Sequence, residues 1–171
     1  MKKLVLTALL LIAALPSMAQ TGVFKLSLWD QVALATPPNT QDIRGIDFGI
    51  GSKTATVTGV QLDLLFAQTE YELRGASMAW IVNLAGDVYG AQMGLLAKAD
   101  NAIGAQLGLV NLSAHASTGA QVGFFNQAEY MNGVQFGLVN YARTMDGLQV
   151  GILNIAENGY FPAMVLVNGR F

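Results

Sequence analysis

The sequence is poor in the residues that carry out chemistry. Its 171 residues include no cysteine, a single histidine and only 12% charged residues, about half of the roughly 25% found in soluble domains. Without cysteine, an exported chain has no disulfide framework and no thiol nucleophile. One histidine alone does not build the usual metal sites or a Ser-His pair. We therefore expect His115, in the polar segment "LSAHAST", to be a surface residue, and we predict no catalytic, cofactor or metal site.

Basic residues become scarcer still once the start of the chain is set aside. Lys2 and Lys3 precede a short apolar run, and small residues lead up to Ala19, which is the pattern of a secretory signal peptide. We predict a signal peptide over residues 1–19 and a single repeat-built β domain over residues 20–171. That domain keeps seven of the nine Lys and Arg residues against eleven acidic ones, so we expect no nucleic-acid partner.

No long apolar run follows the predicted signal peptide. The chain is 53% apolar, yet no later segment approaches the roughly 18 consecutive apolar residues of a membrane-spanning helix. The apolar residues are instead spread thinly along the chain. That distribution is typical of a β-structure with one face in an apolar medium.

The strongest pattern is a repeat of about 14 residues. The segment "GVQFGLVNYARTMDGLQVGILNIAEN", residues 133–158, contains Gly-apolar-Gln-apolar-Gly-apolar-apolar-Asn twice, beginning at Gly133 and at Gly147. Such self-similarity is the signature of a repeat architecture, so we interpret its polar members as structural positions. They are Gln61, Gln92, Gln106, Gln121, Gln135 and Gln149, together with Asn83, Asn111, Asn126, Asn140 and Asn154. Ala97 takes the place of the asparagine between Asn83 and Asn111.

Within each unit, apolar residues alternate with Gln and Gly. Val134, Phe136 and Leu138 point to one side of an extended chain, and Gln135 and Gly137 point to the other. Two glycines so close together would each cost a helix about 1 kcal/mol, so we predict strands joined by short polar turns. The count is ten strands: one at 23–30, eight starting near residues 43, 57, 76, 90, 104, 119, 133 and 147, and one at 161–171.

We predict an all-β fold, and specifically an antiparallel up-and-down β-barrel of about ten strands in the outer membrane. Such barrels have an even strand number, an apolar outer band and a small or polar interior. The leucine-type residues would face lipid, and Gln and Gly would fill the interior. Phe171, on an alternating last strand, resembles the assembly signal of such barrels. The aromatic residues near strand ends would form interfacial girdles or plug the ends of the core: Trp29, Trp80, Tyr89, Tyr130, Tyr141 and Tyr160.

A parallel β-solenoid with one coil per repeat is the alternative. In that fold the leucines would form a dry core, and identical Gln and Asn residues would stack about 4.8 Å apart. Asn would also suit a corner that needs the left-handed backbone conformation. The solenoid explains less well why a soluble exterior would carry so few charges.

Two acidic residues interrupt the pattern on its inward side. Asp47 lies one repeat before Gln61, and Asp63 replaces the second glycine of the unit "GVQLDLLF". They suggest either a carboxylate pair in a pore or a polar substitution at a tolerant position. We favour the polar substitution.

The motifs together resemble a known group of proteins. "SLWD" near the start, the tandem GxQxGxxN units and the closing "NGYFPAMVLVNGRF" are similar to a family of exported bacterial surface-repeat proteins from Gram-negative-type and spirochaete genomes. The resemblance covers nearly all of residues 20–171 and implies a cell-envelope location, without catalytic residues. We expect a non-enzymatic outer-membrane or cell-surface protein. It is either a small barrel with a narrow pore or none, in contact with outer-membrane lipid, or a surface-exposed solenoid for adhesion or interaction.

Overall fold

The computed structural model describes residues 21–29, 32–33 and 40–171. The predicted signal peptide lies outside these residues. Nine strands form a single sheet in the order β2-β1-β3-β4-β5-β6-β7-β8-β9. The strands are β1 (Thr21–Trp29), β2 (Val32–Ala33), β3 (Asp42–Ala79), β4 (Val82–Met93), β5 (Leu96–Leu107), β6 (Val110–Val122), β7 (Phe125–Phe136), β8 (Val139–Ala156) and β9 (Ala163–Arg170). The prediction of an all-β fold is therefore confirmed.

Successive repeats pair in parallel, each with the next. Strands β3 to β8 form a parallel ladder in which most residues lie beside their equivalents in the following repeat, with a register shift in three of the five pairings. Gln106, for example, pairs with Gln92 on one side and with Gln121 on the other. A chain that returns to the same register after each repeat forms a coil, so the fold is a parallel β-solenoid.

The predicted antiparallel barrel is wrong. In a barrel of that kind each repeat would run opposite to its neighbours, whereas the repeats here all run in the same direction. Among the described residues, only the two terminal pairings are antiparallel, β1 with β2 and β8 with β9. The physical reason is that each repeat contains its own corners and closes one turn by itself. The strands predicted near 43, 57 and 76 are accordingly parts of one bent strand, β3.

A column of glycines makes one corner of every turn. Eight glycines have φ between +123° and +151°, a backbone conformation that costs other residues energy. A Cβ on Gly119 would also lie 2.1 Å from the carbonyl oxygen of Gly104 below it. The column contains Gly45, Gly59, Gly75, Gly90, Gly104, Gly119, Gly133 and Gly147. The corner role predicted for asparagine therefore belongs to glycine, since none of the repeat asparagines has a positive φ.

The two sides of each strand are divided as the alternation predicts. Gln135 is fully buried, whereas Val134 and Phe136 on either side of it are exposed. This confirms that Gln lies inward and the leucine-type residues outward. It also corrects one detail of the solenoid alternative, in which the leucines would form the core. The interior contains amides and apolar side chains from outside the GxQxGxxN motif, such as Ala128, Met131 and Met145.

Candidate functional site

The interior is held together by a ladder of glutamine side chains. In the later turns each Nε2 donates to the Oε1 of the glutamine in the preceding turn: Gln121 to Gln106, Gln135 to Gln121 and Gln149 to Gln135, each at 2.7 Å. The Nε2 of Gln92 donates to Asn83 instead, since Ser77 occupies the position in the preceding turn. The same Nε2 of Gln135 also donates to the carbonyl oxygen of Tyr141 at 3.2 Å. Both amide hydrogens are thus used, and the ladder satisfies groups whose burial would otherwise be costly.

A second ladder of asparagines runs beside the first and points the other way. The Nδ2 of Asn111 donates to Asn126, that of Asn126 to Asn140, and that of Asn140 to Asn154, each at 2.8 Å. Each turn also anchors its asparagine to the backbone, as when Asn126 Nδ2 donates to the carbonyl oxygen of Phe136 at 3.0 Å. The donors of this ladder point toward the C-terminus, and those of the glutamine ladder point toward the N-terminus.

Ala97 leaves a visible gap in the asparagine ladder. It pairs with Asn83 and Asn111 in the neighbouring turns but offers no amide. Asn83 instead exchanges hydrogen bonds with Ser77 at 2.9 Å, and Asn111 Oδ1 has no hydrogen-bond partner among the described residues.

The predicted repeat positions therefore lie inside the solenoid and serve its architecture. Gln61, Gln92, Gln106, Gln121, Gln135 and Gln149 are buried, as are Asn83, Asn111, Asn126, Asn140 and Asn154. Their amides bond to one another and to the backbone, which leaves them no role in binding a ligand at the surface.

The first turns replace the amides with charged groups. Lys25 is buried, and its Nζ lies 3.9 Å from Asp47 Oδ2. It also donates to Thr54 Oγ1 at 3.1 Å and to the carbonyl oxygen of Lys53 at 2.9 Å. Ser27 donates to Asp47 Oδ1 at 3.0 Å. Asp47 occupies the position equivalent to Gln61, so the glutamine ladder ends in a buried, hydrogen-bonded ion pair.

Asp63 is a buried carboxyl group without a hydrogen-bond partner among the described residues. Its side chain occupies space that is open because residue 49 is glycine. A Cβ on Gly49 would lie 2.9 Å from Asp63 Oδ1. Burial and the nearby charge of Asp47 raise its pKa to about 8, against a smaller lowering by Lys25. Asp63 is therefore largely protonated at neutral pH. Asp47 and Asp63 fit the predicted polar substitution better than a pore, since both lie in a packed interior.

The outward side chains form two apolar ridges along the solenoid with a groove between them. The first ridge is Met78, Met93, Leu107, Val122, Phe136 and Val150. The second ridge is Trp80, Leu95, Leu109, Phe124, Leu138 and Ile152. The floor of this apolar groove is Ala79, Gly94, Gly108, Gly123, Gly137 and Gly151. It forms two adjoining cavities of about 630 and 370 Å³ that share Gly108 and Leu109 in their walls.

From Gly94 onward the floor is glycine because the turns approach each other closely there. A Cβ on Gly123 would lie 2.2 Å from the carbonyl oxygen of Gly108 and 2.6 Å from Asn111 Nδ2. Near the N-terminal end the groove continues past Trp80 to Phe48 and Leu64, with Asp63 in its wall. At the C-terminal end it is continued by residues of β9.

Charged side chains lie in the other part of each turn, between the asparagine and the next corner glycine. Arg143 pairs there with Glu129 at 2.6 Å, and Lys98 and Asp100 are exposed. His115 is exposed in the same part of its turn. Neither ridge contains a charged residue, so each turn has one apolar part and one polar part.

The aromatic residues do not plug the core. Trp29, Trp80, Tyr89, Tyr130 and Tyr160 are all exposed, and Tyr141 is half-buried. The inward lysine, Lys25, was missed by sequence reasoning. The available signal was its position between the apolar residues Phe24 and Leu26 on an alternating strand, which places it on the side opposite to theirs.

Within the part of the chain that the structure describes, no three His, Cys, Asp or Glu side chains come together as metal ligands. None of these residues belongs to a helix with the length and apolarity needed to cross a membrane. Comparison with known proteins finds no matching family model, no similar curated protein and no similar solved structure.

Proposed function

We propose that the protein is a non-enzymatic interaction module, exported to the cell surface, and that the apolar groove with its two ridges is the binding surface. The pattern of the first 19 residues supports export. The proposal draws on the division of each turn into an uncharged apolar part and a charged part. Monomeric soluble proteins rarely expose contiguous apolar patches beyond a few hundred Å², and larger ones mark sites of interaction.

The observation that carries the proposal is the exposure of the ridges. Phe124 is 59% exposed and Phe136 is 56% exposed, although both side chains are large and apolar. Burying one such side chain would contribute about 2 kcal/mol. The interior is already filled, mainly by amides, Ala and Met. The side chains of the two ridges can therefore be buried only by a binding partner.

Photo-crosslinking in intact cells tests the proposal. A benzophenone amino acid placed at Phe124 samples the second ridge, and the same residue at Tyr130 is the matched control. Tyr130 is also aromatic and 54% exposed, but it lies in the charged part of its turn. We expect a discrete crosslinked product from position 124 and none from position 130. Equal products from both positions, or none from position 124, would contradict the proposed binding surface.

A further inference from the structure

We infer that the partner seated on the apolar groove is a second copy of this chain, which lies face to face with the first across a twofold axis. This inference rests on the proposed function, because it names the occupant of the same surface. Three observations carry it: the area of the surface, its self-complementary shape and its lack of charge.

The area matches what a stable dimer needs. Ten of the twelve ridge side chains are between 37% and 65% exposed. A large side chain presents about 200 Å² when it is fully exposed, so these ten present roughly 1,000 Å² on each copy. That is enough for the roughly 800 Å² per partner of a specific interface. Interfaces between identical subunits are also the more apolar ones.

The shape is complementary to itself. Side chains along each ridge repeat at the spacing of the turns, so a contact made with the second copy at one turn can be made again at the next. The glycine floor lies in the bends between consecutive strands, and it leaves room for a ridge of the partner because glycine has no side chain to fill it. A twofold axis between Leu109 and Phe124, the middle of the second ridge, brings Trp80 of each copy near Ile152 of the other. Such an isologous contact closes after two copies.

Charge does not oppose this contact. The ridges carry no Lys, Arg, Asp or Glu, and the ion pairs of Arg143 lie in the other part of the turn. Asp63 is the acidic residue lining the groove, and its pKa of about 8 leaves it mostly uncharged at neutral pH. Two copies therefore meet without burying a fixed charge, which is the costly event at an interface.

A lipid surface fits the same observations less well. Interfacial proteins combine an apolar face with Lys and Arg that attract anionic headgroups, whereas residues 20–171 have seven basic residues against eleven acidic ones. Binding to a bilayer also does not require a regular groove between two ridges. The observations thus favour a second copy over lipid.

Analytical ultracentrifugation of the purified, exported chain tests the inference with two matched variants. Leu109→Arg places a charge at the centre of the second ridge, and Ile103→Arg places the same charge in the polar part of the neighbouring turn. The two positions are 45% and 50% exposed, so neither change disturbs the interior. We expect the parent chain and Ile103→Arg to sediment as dimers. The dissociation constant of Leu109→Arg should rise at least about 100-fold, with an unchanged circular dichroism spectrum.

The same chains are also mixed with vesicles of phosphatidylethanolamine and phosphatidylglycerol. A parent chain that sediments as a monomer at every concentration overturns the inference. If that monomer binds vesicles and Leu109→Arg abolishes the binding, the proposed binding surface stands and only its occupant is wrong. If it binds nothing and position 124 gives no crosslink in cells, both proposals fail. Should Leu109→Arg misfold, Phe124→Gln takes its place, and the concentration series of the parent chain still decides the question.

Discussion

The first turns of the solenoid and the later turns have the same coiled backbone but different side chains in their interior. From Gln92 onward the interior repeats the same amides, and each hydrogen bond resembles the one before it. In the earlier turns, Lys25, Asp47 and Asp63 bring buried ionisable groups instead. The comparison shows that the glycine column and the parallel ladder determine the coil. The interior can vary as long as most of its polar atoms find partners. Among the described residues, Asp63 is the ionisable group whose side chain has no hydrogen-bond partner.

Asp63→Asn should produce the largest change in stability. The folded pKa of Asp63 is about 8 against an ordinary 3.8, so the folded state binds more protons than the unfolded state between these values. Stability therefore falls as pH rises from about 4 to about 8. We expect the variant to lose most of this dependence and to be more stable than the parent at pH 9, by up to about 6 kcal/mol. Urea unfolding at pH 4 and pH 9 measures the free energy of unfolding of the variant and of the parent.

The exposed Asp100 supplies the control for that experiment. Asp100→Asn removes the same charge from the surface and should leave the pH dependence of the parent unchanged. Equal stabilities of Asp63→Asn and the parent at pH 9 would show that the carboxyl group has partners after all.

Gln135→Ala should break the regular ladder. It leaves Gln121 Oε1 without its donor and Gln149 Nε2 without its acceptor, and each buried unsatisfied group costs about 1–3 kcal/mol. We expect a loss of about 3 kcal/mol in the free energy of unfolding. In Gln61→Ala the hydroxyl groups of Thr69 and Ser77, which donate to Gln61 at 3.1 Å, can rotate to other acceptors. That loss should be about 1 kcal/mol, and equal losses would refute the contrast between the two regions.

Deletion of residues 133–146 should shorten the solenoid by one turn without unfolding it. Gly147 would then stack on Gly119, and Gln149 would meet Gln121 in place of Gln135. Because each turn contacts only its neighbours, we expect a cooperative unfolding transition that is weaker by about 1–2 kcal/mol, the share of 14 residues in a typical domain. Thermal unfolding followed by circular dichroism measures this loss of stability and the cooperativity of the transition. An unfolded or aggregated product would count against turn-by-turn stacking.

Ala97→Asn should give the smallest effect, and a stabilising one. The new amide would donate to Asn111 Oδ1, which lacks a partner among the described residues, and would join Asn83 to the ladder. A net hydrogen bond of this kind contributes about 1 kcal/mol. Ala97→Ser is the control, since a hydroxyl group is too short to reach the next turn. A destabilised Asn variant would show that the gap has a steric cause.

The sequence indicated which side chains face inward but not how the strands pair. Gln135 between Val134 and Phe136 predicts opposite sides in a barrel and in a solenoid alike, because both have a side-chain period of two. The direction of pairing depends on corners within each repeat, and Gly133 looked like the start of a strand. In the structure it lies inside β7, since the chain bends at this glycine without leaving the ladder.

The candidate binding surface was only half predictable. Alternation placed Leu109, Phe124 and Leu138 outside, and the low charge of the chain then suggested lipid around a barrel. The groove itself depends on the stacking of Gly108, Gly123 and its equivalents in register, which no single repeat reveals. Alternation also indicated the inward side for Lys25, but its partner Asp47 lies 22 positions later in the chain, so the buried ion pair could not be predicted.

Introduced cysteines test the parallel coil most directly, since the chain has no cysteine of its own. Val122 and Phe136 are neighbours across the ladder, about 4.8 Å apart and within reach of a disulfide bond. The double variant Val122→Cys/Phe136→Cys should lose both free thiols within one chain on mild oxidation, as counted by alkylation and mass spectrometry. Val122→Cys/Val150→Cys, separated by a further turn, should keep both. Free thiols in the first variant, or an intrachain disulfide formed as readily in the second, would contradict the solenoid.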